Sequence, residues 1–142
     1  MKRTAATGDS TGLEILLFRV GGVCFGVEAD QVERVDSCGE GAQEGSFWFH
    51  DLVDFGEWPV VYRAPTLLLV KIAGEAVGVV IDAVRDIAEF GLDAIRPFPP
   101  LVEPFVLPKG MWGVLQLDEE IVPLLDFQRL RHRIVDLRSK HP

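Results

Sequence analysis

The sequence predicts an all-β fold of two related lobes with a single α-helix at its C-terminal end. Three observations predict it: a strand–turn–strand pattern that occurs twice, small residues where tight hairpins need them, and one amphipathic stretch confined to the end of the chain. Ile15–Val35 lies over Leu67–Ile87 without a gap at an offset of 52, and seven of the 21 pairs are identical. Apolar strands resemble one another by chance. The matched pairs Gly22/Gly74, Gly26/Gly78 and Asp30/Asp82 are harder to attribute to composition.

The elements follow in order. Residues 1–12 carry two basic side chains with no apolar run behind them, so they read as a disordered lead and not a secretory signal. Leu13–Val20 is a nearly continuous apolar run of strand length. Gly21-Gly22 supplies the positive φ of a two-residue hairpin turn, and Val23–Val27 returns. Ala73-Gly74 repeats that arrangement before Ala76–Ile81. Gly26 and Gly78 fall in mid-strand, where a missing Cβ marks a bulge or sharp bend of the kind a small closed barrel needs.

A second match pairs Glu44–Phe55 with Glu119–Leu130 at an offset of 75, placing an apolar strand that ends in Asp51 or Asp126 late in each copy. Five prolines between Pro97 and Pro108 exclude a helix or central strand there and predict an ordered loop lying on the core. Lys109–Leu117 reads as a strand, and Ile121–Leu125 as the last one, with Pro123 indicating a sheet edge. Asp126 is a helix N-cap, and Phe127, Leu130, Ile134 and Leu137 then mark one face of a helix over 127–138. The expected organisation is one domain over 13–138, with lobe 1 mainly 22–66, lobe 2 mainly 74–126 and a tail at 139–142. Lobe 1 is the abbreviated one.

The 142 residues carry 14 Lys+Arg against 22 Asp+Glu, a net charge of −8. Such a field repels polyanions and argues against a general nucleic-acid binder. Only residues 127–142 are basic, with five cations against Asp136. That leaves a small-barrel nucleic-acid binder using the basic tail as an alternative of a different class. No apolar run reaches the ~18–20 residues of a membrane-spanning helix. Cys24 and Cys38, with no export signal, predict free thiols in a reducing cytoplasm.

Reactive groups are sparse. His50-Asp51 is the one adjacent pair with a catalytic look, but neighbours in a strand point to opposite faces and do not form a relay. The three histidines and two cysteines lack metal-ligand spacing, and no phosphate-binding glycine loop is present. No cofactor, metal or enzymatic activity is expected. Trp48, Trp58 and Trp112 are candidates for contact surfaces, with burial between the lobes preferred for Trp48 over an exposed patch. Exposure of the Phe47-Trp48-Phe49 strand would favour a homodimer.

Several segments, in order, resemble the CheW-like domain of bacterial chemotaxis. Glu14–Val27 is similar to that family's opening hairpin. Gly78–Ile87 (GVVIDAVRDI) resembles its G-hydrophobic-V-V-D-x-V-x-D-V strand, and residues 94–99 (AIRPFP) its I-R-P-x-P step. Gly113 to Leu130 is similar to its closing strands and final helix. The resemblance covers about 13–36 and 66–130. It implies two SH3-like β-barrel lobes sharing a hydrophobic core. It also implies a non-enzymatic adaptor that couples a CheA-like histidine kinase, through its regulatory domain, to chemoreceptor tips or to other CheW-like domains. Receptor helices would dock in a groove between the lobes, and lateral contacts would use their pseudo-symmetric ends.

Position by position, Val32 matches the apolar residue used near the receptor groove, whereas Arg34 stands where many members have an acid. The N-L-R-G strand of most members is missing, and Glu44 is the nearest match to its Arg. Lobe 1 has thus lost a loop and a strand. The expected partner-binding residues are Val32, Arg34, Val35 and Glu44 in the first copy, with Val84 at the repeat position of Val32. Trp48 and Trp112 complete the set as aromatic contacts. A divergent scaffold in a two-component pathway other than chemotaxis is the alternative within the family.

Overall fold

The structure, a computed structural model, describes residues 12–38, 45–54 and 59–140. Strands β1 (Gly12–Val20) and β2 (Val23–Glu28) form the first hairpin, closed by Gly21 and Gly22 at φ 60° and 81°. A 3-10 turn over Ala29–Gln31 leads into β3 (Val32–Ser37). The two-residue β4 (Phe47–Trp48) runs directly into a single helical turn, α1 (Phe49–Leu52). The second hairpin, β5 (Thr66–Ile72) and β6 (Glu75–Ile81), is followed by β7 (Ala83–Gly91) and the short β8 (Ile95–Arg96). Then come a helical turn α2 (Glu103–Val106), β9 (Met111–Leu117) and β10 (Glu120–Leu125). The C-terminal part is a 3-10 turn over Phe127–Leu130 continuing into α3 (Arg131–Lys140).

The repeat is real at the level of strand pairing. Every β1–β2 pair, from Ile15↔Glu28 to Val20↔Val23, has its β5–β6 counterpart at +52, from Leu67↔Val80 to Ile72↔Glu75. The third strand of each copy does not join its own hairpin. It crosses to the other one: β3 pairs with β5 and β7 pairs with β1. These exchanged pairs also map onto each other, Val35↔Leu68 onto Leu16↔Ile87. Each has its register shift at the same place, beside Glu33 in one and Arg85 in the other.

The result is a six-stranded sheet, β7-β1-β2-β10-β9-β8, and a four-stranded sheet, β3-β5-β6-β4, curled into SH3-like β-barrel lobes. Neither follows the expected bounds 22–66 and 74–126, because the exchange moves β1 and β2 into the same sheet as 83–125 and leaves 32–81 in the other. The smaller lobe is the abbreviated one. Among the described residues it has no counterpart of β9.

Three apolar clusters result. The largest lies between the sheets and takes Leu16, Phe18 and Val20 from β1, Leu68, Val70 and Ile72 from β5, and Phe49, Phe127 and Leu130 from the two helical turns. Inside the six-stranded lobe are Ile15, Leu17, Cys24 and Leu124; inside the four-stranded lobe are Cys38, Leu67 and Val80. β1 therefore buries both faces, which is why its sequence is continuously apolar instead of alternating. Burying each large side chain contributes roughly 1.5–3 kcal/mol, so the shared core is the main cohesive element.

The late strand of each copy aligns three residues from the expected register. Phe47↔Val79 in the β4–β6 pairing is equivalent to Leu125↔Val27 in β10–β2, an offset of 78 and not 75. Phe49-His50-Asp51-Leu52 then overlies Phe127-Gln128-Arg129-Leu130, and the Phe and Leu of both turns are at most 1% exposed. The expected strand ending in Asp51 is accordingly a two-residue strand and a helical turn. An F-x-x-L turn is too short to show a helical period.

Other expectations need correction. The bulges fall in β3 and β7 and not at Gly26 or Gly78. Gly26 instead lies where a Cβ would meet Ile15 and Leu124 at 2.9 Å, so its hydrogen admits β10 alongside β2. The Pro97–Pro108 segment contains the α2 turn, with Pro104 in its first turn where no N–H is needed. Its apolar residues do not lie on the core: Leu101 is 87% and Phe105 74% exposed. Pro123 is in an interior strand, but β10 pairs with β2 only at Leu124 and Leu125, so the missing donor at 123 breaks no ladder there. Gly12 already belongs to β1, and α3 runs to Lys140, which shortens the expected lead and tail.

Candidate partner-binding surface

β3 and β7 form the outer strands of their sheets among the described residues, and the repeat makes them equivalent. Val32 and Val84 occupy the same position just before the bulge, half-buried against the shared core. The bulge lets the strand bend away after them, and the next side chains turn to solvent. Arg34 is exposed, its Nε 2.7 Å from Asp36 Oδ2. Val35 and its equivalent Ile87 are each 40% exposed. Arg85 donates to Glu120 Oε1 at 2.8 Å and approaches the buried Cys24 sulfur at 3.4 Å. Ile87 was missed from the sequence, although the +52 repeat points straight from Val35 to it.

The aromatic candidates do not join this surface. Trp48 is half-buried in the four-stranded lobe, its ring 4.8 Å from that of Tyr62 and packed near Cys38, Leu67 and Val80. It therefore lies inside one lobe and not between two. Trp112 packs on the separate cluster inside the six-stranded lobe and flanks a small cleft with Glu28, Gln31, Asp126 and Arg129. Glu44 and Trp58 lie outside the described residues.

Tyr62, not singled out from the sequence, organises the Trp48 region. Its hydroxyl is 2.9 Å from His50 Nδ1 and accepts the His50 backbone N–H at 3.3 Å. Because His50 and Asp51 lie in a helical turn and not a strand, His50 Nε2 comes within 3.7 Å of Asp51 Oδ1, contrary to the expected opposite faces. Burial, the largest cause, pushes the Tyr62 phenol up to about 12, with Asp51 and Asp82 adding to it. The phenol is thus held protonated, and its ring is held by packing against Trp48.

The two thiols are free and buried. Burial raises the Cys38 thiol, which keeps it in the inert protonated form. Glu28 is also raised, first by burial and then by Asp30 and Asp126. Among the described residues, no group of His, Cys, Asp and Glu has metal-binding geometry, and no helix is long and apolar enough to cross a membrane.

The basic C-terminal segment is engaged by the protein itself. Asp126 holds Arg129 at 3.4 Å, Arg133 Nε donates to the Asp51 carbonyl at 2.9 Å, and Arg138 pairs with Glu75 at 2.6 Å while lying over the Phe47 ring. That pairing raises the Arg138 guanidinium and lowers Glu75. These contacts clamp α3 onto β4, α1 and β6.

A double-lobed SH3-like fold with an exchanged third strand defines the class of protein, and the comparisons narrow it. The profile of the CheW-like domain matches residues 49–135. The chain belongs to the CheW-like domain family. The scaffolding protein TtCheW from Thermoanaerobacter tengcongensis has a similar structure, with a TM-score of 0.67 at 14% identity over 90% of this chain and 93% of that one. No protein sequence with a curated description matches the chain significantly.

Proposed function

We propose that this protein is a non-enzymatic, cytoplasmic signal-transduction adaptor of the chemotaxis type, joining a CheA-like histidine kinase to receptors or to other CheW-like domains. The observation that carries this reading is the family match across 49–135, which spans all of the second hairpin and the strands that follow it. The similar structure of a scaffolding protein supports the same reading. The six-stranded lobe, with its complete set of strands, is the one assigned to the kinase. Val32, Arg34 and Val35 on β3 belong to the receptor-side surface, where the Arg34 cation selects a partner different from that of members with an acid there, and Val84 is the equivalent position on the six-stranded lobe. Trp48 and Trp112 support the surfaces from within, and Glu44 belongs to the shortened connection.

Co-purification with the regulatory domain of the cognate CheA-like kinase tests the proposal. Binding that is lost on charge reversal over the six-stranded lobe is the expected result. No binding, or binding indifferent to those reversals, overturns it. The nucleic-acid alternative is disfavoured by the structure's use of Arg129, Arg133 and Arg138 in internal contacts. A mobility shift with a short duplex at low salt would revive it.

A further inference from the structure

The smaller lobe keeps β4, the counterpart of β10, but among the described residues it has no strand in the place of β9. Carried across at the offset of 78, Pro123, Leu124 and Leu125, which pair with Val114, Gly113 and Met111 of β9, become Gly45, Ser46 and Phe47. Leu125 is fully buried, and Met111 packs with it on the shared core. Phe47 faces the same core and is only half-buried. A cavity of about 420 Å³ opens beside it, lined by Phe47, Trp48 and Asp51 together with Leu137 and Arg138 of α3. Among the described residues its lining includes none from β6, so it lies on the side of β4 away from that strand, where the other lobe holds β9.

We propose that this cavity receives an extended peptide segment of a partner protein, which adds to β4 as an antiparallel strand in the place β9 holds in the other lobe. Strand addition draws affinity from main-chain pairing and selectivity from the sites that take alternate side chains. One site is apolar, beside Phe47 and Leu137, where the complete lobe has Met111. The other is electrostatic. In the complete lobe the chain just before Met111 passes over the last helical turn: the Asp126 N–H donates to Gly110 O at 2.7 Å, and a Cβ on Gly110 would lie 3.0 Å from Leu130. The same path in the smaller lobe crosses the turn that carries Asp51 and Leu52. A segment with a base two residues before its apolar anchor, as Lys109 stands before Met111, brings that cation to Asp51. The neighbouring cations do not compete for it. Arg138 is held by Glu75 at 2.6 Å, and the Arg133 guanidinium donates to the Asp51 carbonyl and not to its carboxylate. His50 Nε2 is 3.7 Å from Asp51 Oδ1, beyond hydrogen-bond reach. The site includes no residue of β3 or β7, and it does not rest on the reading of the partner as a kinase.

The probe is a synthetic peptide with the sequence of residues 109–118, KGMWGVLQLD, the segment that fills the equivalent place in the complete lobe. Labelled with fluorescein and titrated with the full chain, it should show a saturable rise in anisotropy that a scrambled peptide of the same composition does not. Asp51→Lys in the protein should weaken binding several-fold, and a peptide carrying Lys109→Glu should bind that variant better than it binds the wild type. This reversal also demonstrates that the substituted chain is folded. Hydrogen exchange with the peptide bound should slow over residues 45–52. No saturable binding, equal binding of the scrambled peptide, or binding indifferent to Asp51→Lys overturns the proposal. So does faster exchange over 111–117, which would mean that the peptide has displaced β9 from its own sheet. Self-association of the chain that the peptide competes away would make a second copy the occupant and overturn the assignment to a partner. Kinase co-purification reads a separate contact, so either result stands without the other.

Discussion

Tyr62 is the only tyrosine in the chain, and its ring, wedged between Trp48 and His50, reports on the smaller lobe. Its ionisation can be followed at 295 nm without interference from a second phenol. In the folded protein the transition should lie near pH 12, and in denaturant near the ordinary value of about 10. The sign of the linkage follows: the folded state holds the proton more tightly. The stability Tyr62 contributes is therefore complete below pH 10 and is lost as pH rises from about 10 to about 12. A folded-state midpoint near 10 would mean that the ring is solvated and the lobe interior open. At this scale the sequence was an uneven guide. Val32 was singled out through the family resemblance and Val84 as its repeat equivalent, and both pack on the shared core. Tyr62 was invisible, because its role depends on an α1 turn that brings His50 to it from 12 residues away.

Among the elements, the hairpins were the most legible, since Gly21-Gly22 and Ala73-Gly74 specify turns through local backbone chemistry. The second turn shows what help a non-glycine residue needs there. Ala73 adopts φ 53°, and its N–H is taken up by Gln128 Oε1 at 2.9 Å, while the Gln128 amide donates to Lys71 O. The C-terminal turn was anticipated from Asp126, whose Oδ1 accepts the Gln128 N–H at 3.0 Å and the Gln31 side-chain amide at 3.2 Å. Gln31 in turn accepts the Phe127 N–H at 2.9 Å. Asp126→Ala should therefore lower stability by about 1–2 kcal/mol, the range for losing an N-cap. Asp126→Asn should retain most of it, as measured by urea unfolding. The three-residue slip in the late repeat was not avoidable from sequence. Pairing β4 with β10 depends on which residue meets β6 or β2, and that is a contact between distant segments.

The exchange of third strands belongs to the whole molecule. It could not be read from the chain, because β3 and β7 have the same pattern whichever hairpin they join. Each sheet needs strands from both halves, so neither residues 1–65 nor 66–142 should fold alone. Each half should lack a cooperative thermal transition by circular dichroism, and co-expressed halves should associate and recover one. A cooperative transition in either isolated half would show that the two lobes are separable after all. The family resemblance predicted two lobes with a common core, and the contiguous boundaries were the part that failed, for this topological reason.

The exchange also constrains the protein's history. A half-length progenitor, with one hairpin and one trailing strand, would have found no place for that strand within itself and would have borrowed a site from its twin. With two such copies on a single polypeptide, a chance meeting becomes a tethered one, at an effective concentration set by the connection between them. Once the halves were on a single polypeptide they no longer had to be identical, and one was free to shrink while its sibling kept every strand.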